Sequence, residues 1–543
     1  MKFSRRNKYF LLLFLAILNI IIRYSRMNNE VGVDGFFIHS LATSISTFGF
    51  AKWIIHPLSF FGLYPLSYAS AEPFILSGFS QLTGVSIKYI ILFLGLFLGV
   101  FGMLSSFILA REIRDDDLFA FLAAFVYSLS PLFLVFTMWE ASTRNLFMGF
   151  LPIFIWAILK FSKSFKIFHV GIVIMFFMLL VASHRLWFFL PLILIAFVAT
   201  VLLKYVFNLK IFSENKKVLN VYFFCILLGV SLLIFYIEFL SGSSFYSGET
   251  EYQSGYFFSG TDTLTILLNM GIDYVGKIGI LLPFIFISFI ILIRKVAYIG
   301  RNELFLLLSV IFLIPIIKFE DYAPEFVLPF YALMVSLGII SVINSFKNQK
   351  IFAISILIIC LFASTGFVFF MFDHWDVGGS PIGEIYQTAL FIKDKSNHTS
   401  VANTGLLAAQ ISAFSGKPCL PFGGPYAPFQ SPEQLIFGFV DENDLVIRPV
   451  NFSEIPNRKS FYRVIKAPDQ NVDWQIILLG KPRDDQVKEV LSRYNAHLIV
   501  EYDLGGKYWY WVKRDSDMLI LYLYESGDRI YHNGKKIKIF WLP

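Results

Sequence analysis

The first acid after the opening hydrophobic segment is Asp34, set in Val31-Gly32-Val33-Asp34-Gly35-Phe36-Phe37-Ile38-His39. A carboxylate beside a membrane is ordinarily just solvated; it becomes reactive machinery when other acids and cations are held near it. The chain offers such groups in a few stretches. Glu140 and Arg144 stand in Trp139-Glu140-Ala141-Ser142-Thr143-Arg144-Asn145, and His184 and Arg185 in Ser183-His184-Arg185-Leu186-Trp187. Glu249 and Glu251 lie in a longer acidic stretch, and Lys318 opens Lys318-Phe319-Glu320-Asp321-Tyr322-Ala323-Pro324-Glu325. Singly they have dull explanations. Arg144, His184 and Arg185 would snorkel to lipid phosphates, Glu140 and Arg144 would pair four apart on a helix, and Glu251 would face water. Together, separated carboxylates and separated cations suit one chemistry: a base takes a proton from an acceptor while positive charge stabilises a departing phosphate. On this reading Asp34 and Glu140 are the catalytic acids. His39, Arg144, His184, Arg185, Glu251 and Lys318 bind substrate, arginine being favoured for phosphate by its bidentate fork. A divalent ion, Mg or Mn, bridging Asp34 and phosphate oxygens would supply part of the same charge.

These groups must be carried by a membrane scaffold. Of the 543 residues, 57% are hydrophobic, 18% aromatic and 15% charged, more apolar than a soluble domain of this size needs. The apolar residues fall in blocks near the ~20 residues that cross a bilayer core. We expect about eleven transmembrane helices by the hydropathy argument. They lie near 8–24, 86–110, 117–137, 145–162, 167–183, 187–205, 219–240, 278–294, 303–317, 326–345 and 350–371. Basic residues gather before the first span and after every even one: Lys2, Arg5, Arg6 and Lys8; Arg111 and Arg114; Lys160, Lys163 and Lys166; Lys204 and Lys210; Arg294, Lys295 and Arg301; Lys347 and Lys350. By the positive-inside rule those loops and the N-terminus face the cytoplasm. The odd loops, and everything after residue 372, then face outward. The net charge of +7 is spread over short loops, so it speaks to orientation and not to nucleic acid. Asn19-Ile20-Ile21-Ile22-Arg23 offers no small-residue cleavage site, so the first span reads as retained. Cys225 and Cys360 lie in apolar spans and Cys419 is alone in the tail, which predicts neither a disulfide framework nor a zinc site.

The first outer loop, residues 25–85, is long for a connection. Phe36 to Phe50 reads as an amphipathic helix on the membrane surface, and Trp53, Phe60, Phe61, Tyr64 and Tyr68 suit the interfacial aromatic belt. Gly62 to Pro65 and onward through Ala71-Glu72-Pro73 reads as turns.

A first span followed by a long outer loop that opens with Gly32-Val33-Asp34-Gly35-Phe36 resembles the GT-C superfamily of integral membrane glycosyltransferases. So does Tyr127-Ser128-Leu129-Ser130-Pro131 running to Trp139-Glu140-Ala141-Ser142-Thr143-Arg144, with Ala71-Glu72-Pro73 through Leu82-Thr83-Gly84-Val85-Ser86 similar to prokaryotic members. The superfamily includes protein mannosyltransferases, oligosaccharyltransferases and lipid A aminoarabinose transferases, and the likeness covers roughly residues 1–370. It implies a polyprenyl-phosphate sugar donor, an outward active site, and inversion at the anomeric carbon. Asp34 would match the first-loop acid, a base or metal ligand, and Glu140 the second-loop acid of some branches. The pattern departs at Phe36 and Ser142, where paired acids of the oligosaccharyltransferase branch have no counterpart. That points away from strong metal dependence and toward transfer of one sugar.

The fold class expected is therefore mostly α, a polytopic GT-C-like domain over residues 1–372, plus a C-terminal extracytoplasmic domain of mixed α/β type over residues 373–543. In the tail we expect strands near Ser400–Asn403, Cys419–Pro421, Trp474–Leu479, His497–Tyr502, Tyr508–Lys513, Leu519–Tyr524 and Lys536–Trp541. Helices are expected at Leu406–Phe414 and Asp484–Tyr494, and a hairpin turn at His532-Asn533-Gly534-Lys535. The function expected is a glycosyltransferase of the cytoplasmic membrane using a polyprenyl-phosphate-linked donor and a glycan, lipid or protein acceptor, with no nucleic acid. Two alternatives stay open: a polymerase or ligase of lipid-linked glycans using His184 and Arg185 in place of Asp34, and a polytopic transporter or flippase.

Overall fold

The computed structural model describes residues 2–24, 30–49, 54–55, 63–64, 69–164, 166–207, 226–233, 263–295, 299–319, 322–346, 349–374, 383–395, 399–402, 405–417, 419–421, 446–449, 462–465, 485–493, 496–502 and 537–541. The chain forms two compact units. One contains Met1–Arg26, Leu94–Met138 and Thr143–Asp376; the other contains Met27–Phe93, Trp139–Ser142 and Val377–Pro543.

The first unit is helical. In chain order it holds α1 (Arg5–Arg23), most of α4 (Ile87–Ile113), α5 (Asp117–Ser128), α6 (Pro131–Val135), α7 (Thr143–Ser164), α8 (Ile167–Ser183), a 3₁₀ turn (Arg185–Phe189) and α9 (Leu190–Phe207). It continues with α10 (Thr263–Ile278), α11 (Phe284–Arg294), α12 (Arg301–Leu313), α13 (Ile316–Phe319), α14 (Ala323–Asn344) and α15 (Gln349–His374). Among the described residues four helices are long and apolar enough to cross a membrane: Ile87–Ile113, Thr143–Ser164, Leu186–Lys204 and Ala323–Asn344. Shorter apolar helices lie at Asp117–Ser128, Ile167–Ser183, Phe284–Arg294 and Ile354–Val368. Of the span expected at 219–240, only 226–233 is described, and it is helical.

Two expected spans are interrupted, each at a proline. The 117–137 stretch breaks at Leu129-Ser130 before Pro131, and the 303–317 stretch breaks before Pro315. A proline disfavours helical geometry in the residue before it, so the chain ends one helix and starts another there. Ser130 caps the restart by accepting a hydrogen bond from the Phe133 amide at 3.3 Å.

The centre of this unit is α14, whose residues are buried almost all round, as expected of a helix apolar on every face. It packs on α5 and α11. Gly338 lets the α11 backbone approach closely: a Cβ there would overlap the Phe284 carbonyl. Ser288 on α11 donates to the Met334 carbonyl of α14. Tyr127 on α5 likewise donates to the Met148 carbonyl of α7. These contacts pack α11 on α14 and α5 on α7, the helices whose first turns follow Tyr322 and carry Arg144.

The second unit gathers α2 (Val33–Phe48), a two-stranded ribbon of β1 (Ile54–Ile55) and β2 (Leu63–Tyr64), α3 (Ala71–Thr83), the start of α4, and the tail. In the tail are α16 (Gly383–Lys395), β3 (Thr399–Ala402), α17 (Gly405–Ser415), β4 (Cys419–Pro421), β5 (Val446–Pro449), β6 (Tyr462–Ile465), α18 (Asp485–Arg493), β7 (Ala496–Tyr502) and β8 (Ile537–Trp541). A four-stranded sheet runs in the order β4-β3-β7-β8, with β3 parallel to β4 and to β7 and with β8 antiparallel to β7. Val500, Cys419, Ile411, Leu407, Ile392 and Ile385 form the small core between this sheet and the helices α16 and α17. β5 and β6 make a separate antiparallel pair. The strands expected at 474–479, 508–513 and 519–524, and the turn at 532–535, lie outside the described residues.

Two expectations in the first outer loop change. Ala71-Glu72-Pro73 is not a turn but the first turn of α3, where an acid and a proline are both well placed, and Gly84 closes that helix in the left-handed conformation at φ 72°. The helix expected to lie on the membrane surface, α2, is instead buried along most of its length by α3 and α17. Phe36 meets Phe414 edge-on at 5.7 Å between ring centroids, so the apolar positions that suggested a lipid-facing side are covered by protein.

Candidate functional site

Within the second unit, the loops carrying the two predicted acids meet. Asp34 is the second residue of α2. Three residues upstream, the Val31 amide donates to the Trp139 carbonyl at 3.0 Å. Gly32, the N-cap of α2, holds φ at 92° and faces Glu140 so closely that a Cβ on it would overlap the Glu140 carboxyl. Gly35 packs on the same segment, its would-be Cβ 3.2 Å from the Ala141 carbonyl oxygen. The residues on either side of Asp34 thus both lie on Trp139–Ala141, and Glu140 is buried there at 6% exposure. Gly35 eases the approach of one backbone to another, and Gly32 leaves room for the Glu140 side chain.

The Trp139–Ser142 segment is held on three sides. Glu72 of α3, fully buried, accepts from the Ser142 amide at 2.9 Å. The Trp139 indole donates to the Lys88 carbonyl at 2.9 Å. The Lys88 ammonium lies over the Tyr386 ring at 4.1 Å and over the Trp139 ring at 5.6 Å, within cation–π range. Trp139 itself has φ 57°, and among the described residues it is the non-glycine with positive φ. A bulky residue in that region is strained, and such strain collects at functional sites.

His39 is buried in the same unit. Its Nδ1 is 2.6 Å from Glu30 Oε1, and both side chains are almost inaccessible. A hydrogen bond of this kind fixes which ring nitrogen is engaged and how the imidazole is turned. Phe414 of the tail covers the ring edge-on at 5.6 Å. Glu30 was not among the sequence candidates; its spacing of nine from His39 matches no helical or strand period, so no pattern pointed to it. Glu72 escaped for a similar reason, having been read as part of a turn.

In the first unit, Arg144 and His184, from different loops, share an aromatic ring. Arg144, second residue of α7, has its guanidinium 4.6 Å from the Phe136 ring and 4.5 Å from the Tyr322 ring. His184, the C-cap of α8, accepts from the Leu186 amide at its Nδ1 and meets Tyr322 edge-on at 5.5 Å. Tyr322 is the N-cap of α14, and two residues into that helix's first turn Glu325 is buried at 2% exposure. The second, third and fifth predicted outer loops therefore converge at Tyr322, a residue whose aromatic type alone gave no reason to single it out.

The remaining candidates are placed only in part. Arg185 opens the 3₁₀ turn after His184, and Lys318 lies in α13. The side chains of Asp34, Arg185 and Lys318, and all of Glu251, lie outside the described residues. Among the described residues no three His, Cys, Asp or Glu side chains come together to hold a metal ion; the side chain of Asp34, where the Mg or Mn ion is expected, is not one of them.

No family model matches the sequence, and no curated protein matches it. Solved structures do match. The crystal structure of the oligosaccharyltransferase of Archaeoglobus fulgidus in complex with Zn and sulfate aligns with a TM-score of 0.55 at 13% identity, covering 91% of this chain and 68% of that one. The same organism's AglB, an archaeal oligosaccharyltransferase in complex with an inhibitory peptide and a dolichol-phosphate, aligns at 0.54 and 14% identity over 92% of this chain and 70% of that one. ArnT from Cupriavidus metallidurans bound to undecaprenyl phosphate aligns at 0.50 and 12% identity, with 99% and 98% of the two chains covered. The chain has the fold of the GT-C integral membrane glycosyltransferases.

Proposed function

We propose that this protein is a membrane glycosyltransferase that moves a sugar from a polyprenyl-phosphate donor to an extracytoplasmic acceptor, which is a glycan, a lipid or a protein. The observation that carries the reading is the meeting of Glu140 with Gly32 and of Ala141 with Gly35. It brings the chain segments of both predicted acids together on a GT-C fold. The dolichol-phosphate and undecaprenyl phosphate in two of the similar structures support a polyprenyl phosphate as the carrier.

In this mechanism Asp34, with Glu140 beside the start of its helix, takes the proton from the acceptor hydroxyl or amide. The acceptor atom bonds to the anomeric carbon as the bond from that carbon to the phosphate oxygen breaks. Polyprenyl phosphate leaves with the electron pair, and the configuration inverts. Arg144 and Arg185, with Lys318, neutralise the negative charge that grows on the leaving phosphate, the largest single aid such a site gives, and His184, whose Nδ1 accepts from the Leu186 amide, donates to that phosphate from Nε2. His39 and Glu251 act on the substrate side. No step is routed through a metal. We further propose the eleven-span topology with a cytoplasmic N-terminus in the cytoplasmic membrane. Residues 1–372 form the transferase domain with its first outer loop at 25–85, and residues 373–543 an extracytoplasmic α/β domain.

The test is reconstitution of the full chain in sealed liposomes with a labelled monosaccharide on polyprenyl phosphate and a panel of glycan, lipid and peptide acceptors. A new glycosidic bond is expected. Movement of the donor across the bilayer with no new bond would make the protein a flippase. Transfer of preassembled glycans, lost on changing His184 or Arg185 and kept on changing Asp34, would make it a ligase.

A further inference from the structure

Arg23 is the last residue of α1, and it is fully buried in the helical unit. Its Nε donates to Thr137 Oγ1 at 2.7 Å, one terminal nitrogen to Asn19 Oδ1 at 2.5 Å, and the other to the Ser128 carbonyl at 2.8 Å. The guanidinium also lies over the Phe133 ring at 5.2 Å. Among the described residues no carboxylate reaches it. Burying a cation without a counter-charge is costly, and in a membrane chain such a residue is a candidate for function before it is one for stability.

The α4 helix is shaped for this arrangement. Gly99 and Gly95 lie one turn apart. A Cβ on Gly99 would overlap the guanidinium of Arg23, and a Cβ on Gly95 would overlap the carbonyl of Thr137. Asn19 is itself tied back to Ser128 Oγ at 3.1 Å. Thr137 is anchored by its hydroxyl to the Phe133 carbonyl at 2.5 Å.

The two ends joined here have one thing in common. Arg23 precedes the loop that leads to Asp34, and Thr137 is three residues before Glu140. We infer that Arg23 is a positioning residue: its fork clamps the departure points of the two acid-bearing outer loops, so that Glu140 and the Asp34 helix meet in register. This rests on the transferase reading, because the benefit it explains is catalytic geometry. A purely stabilising role would not need a buried charge here, since apolar residues in place of the whole hydrogen-bonded cluster would serve stability as well or better.

The experiment compares the full-length protein with R23M, T137V and G99A in nanodiscs, by three readouts: transfer kinetics, thermal unfolding, and hydrogen exchange of the amides of residues 138–142. R23M leaves the Thr137, Asn19 and Ser128 acceptors without this donor, so it is expected to unfold somewhat below the wild-type temperature. Its kcat should fall about 10- to 100-fold, the scale of a small misplacement of reacting groups, with donor KM nearly unchanged, and amide exchange in 138–142 should quicken. T137V and G99A should shift kcat and exchange in the same direction by less. Wild-type kcat and wild-type exchange in R23M would overturn the inference. So would a fall in kcat matched by a fall in unfolding temperature with exchange in 138–142 unchanged. If R23M does not fold, T137V decides by the same criteria. If the wild-type chain forms no glycosidic bond, the transferase reading fails, and the exchange comparison still decides whether Arg23 sets the second outer loop.

Discussion

The Glu140 carboxyl occupies the place where Gly32 would carry a side chain, and Gly32 turns the chain there with φ at 92° and ψ at 140°. Both facts favour glycine at that position. Gly32→Ala must displace Glu140 and also adopt a backbone conformation that costs of order 1–3 kcal/mol for a residue with a Cβ. The variant should fold with a lowered unfolding temperature and lose most transfer activity. Unaltered activity in the purified variant would separate Glu140 from the reaction.

Glu30 and His39 form a buried pair 2.6 Å apart, and Glu30 Oε2 has no hydrogen-bond partner among the described residues. Glu30→Gln replaces that bare acceptor by an amide whose N–H groups need partners. Leaving one buried polar group unsatisfied costs about 1–3 kcal/mol. Denaturant unfolding followed by the fluorescence of a reporter in the tail should show a destabilisation of this size. No change would mean that the pair contributes nothing to holding α2.

Tyr322 presents its ring to Arg144 at 4.5 Å and to His184 at 5.5 Å. The guanidinium lies over the ring, so removing the ring should cost more than removing the hydroxyl. Tyr322→Phe should retain most of the affinity for the polyprenyl-phosphate donor. Tyr322→Ala should lose roughly 2- to 30-fold, the equivalent of the ~0.5–2 kcal/mol of a cation–π contact. Equal losses in both variants would assign the role to the hydroxyl.

Burial pushes the Cys419 thiol up from 9.0 to about 12, against the opposing hydrogen bond with Ser400. A raised thiol pKa favours the neutral form in the folded state. Its stabilising contribution is therefore complete below the ordinary thiol range and is lost only as pH rises toward about 12. At pH 8 the thiolate is scarce and the residue is also fully buried in β4, so maleimide should leave it unlabelled in the native protein and modify it on unfolding. Mass spectrometry of the tail peptide reads this directly. Rapid native labelling would mean that the β4-β3-β7-β8 sheet does not form as described.

Hydropathy was a reliable guide where a helix is long and uninterrupted. The expected 167–183 is α8 to the residue, and 145–162 and 326–345 differ from α7 and α14 by only a few positions. In the tail the strands expected near Ser400–Asn403 and at Cys419–Pro421 correspond to β3 (Thr399–Ala402) and β4. Prolines decided where hydropathy failed: Pro131 and Pro315 each divide an apolar block that composition alone reads as one span. The site was legible in its charges and not in its supports. Asp34, Glu140, Arg144 and His184 are visible as polar residues at the ends of apolar blocks. Glu30, Glu72 and Tyr322 act through contacts across 9, 70 and 178 residues of sequence, which no local period encodes. Arg23 is not singled out by the sequence, because its burial is a property of its neighbours Gly99, Thr137 and Ser128 and not of its own segment.

The most direct measurement is the rate at which the purified protein forms a glycosidic bond from a polyprenyl-phosphate sugar, compared with Asp34→Asn. Asparagine keeps the size of the side chain and removes its capacity to take a proton. A positioned general base contributes about 10²–10⁴-fold, so the variant should bind donor normally, unfold at the wild-type temperature and lose transfer by that factor. An Asp34→Asn protein that transfers sugar at the wild-type rate would contradict the assignment of the reaction to the first outer loop.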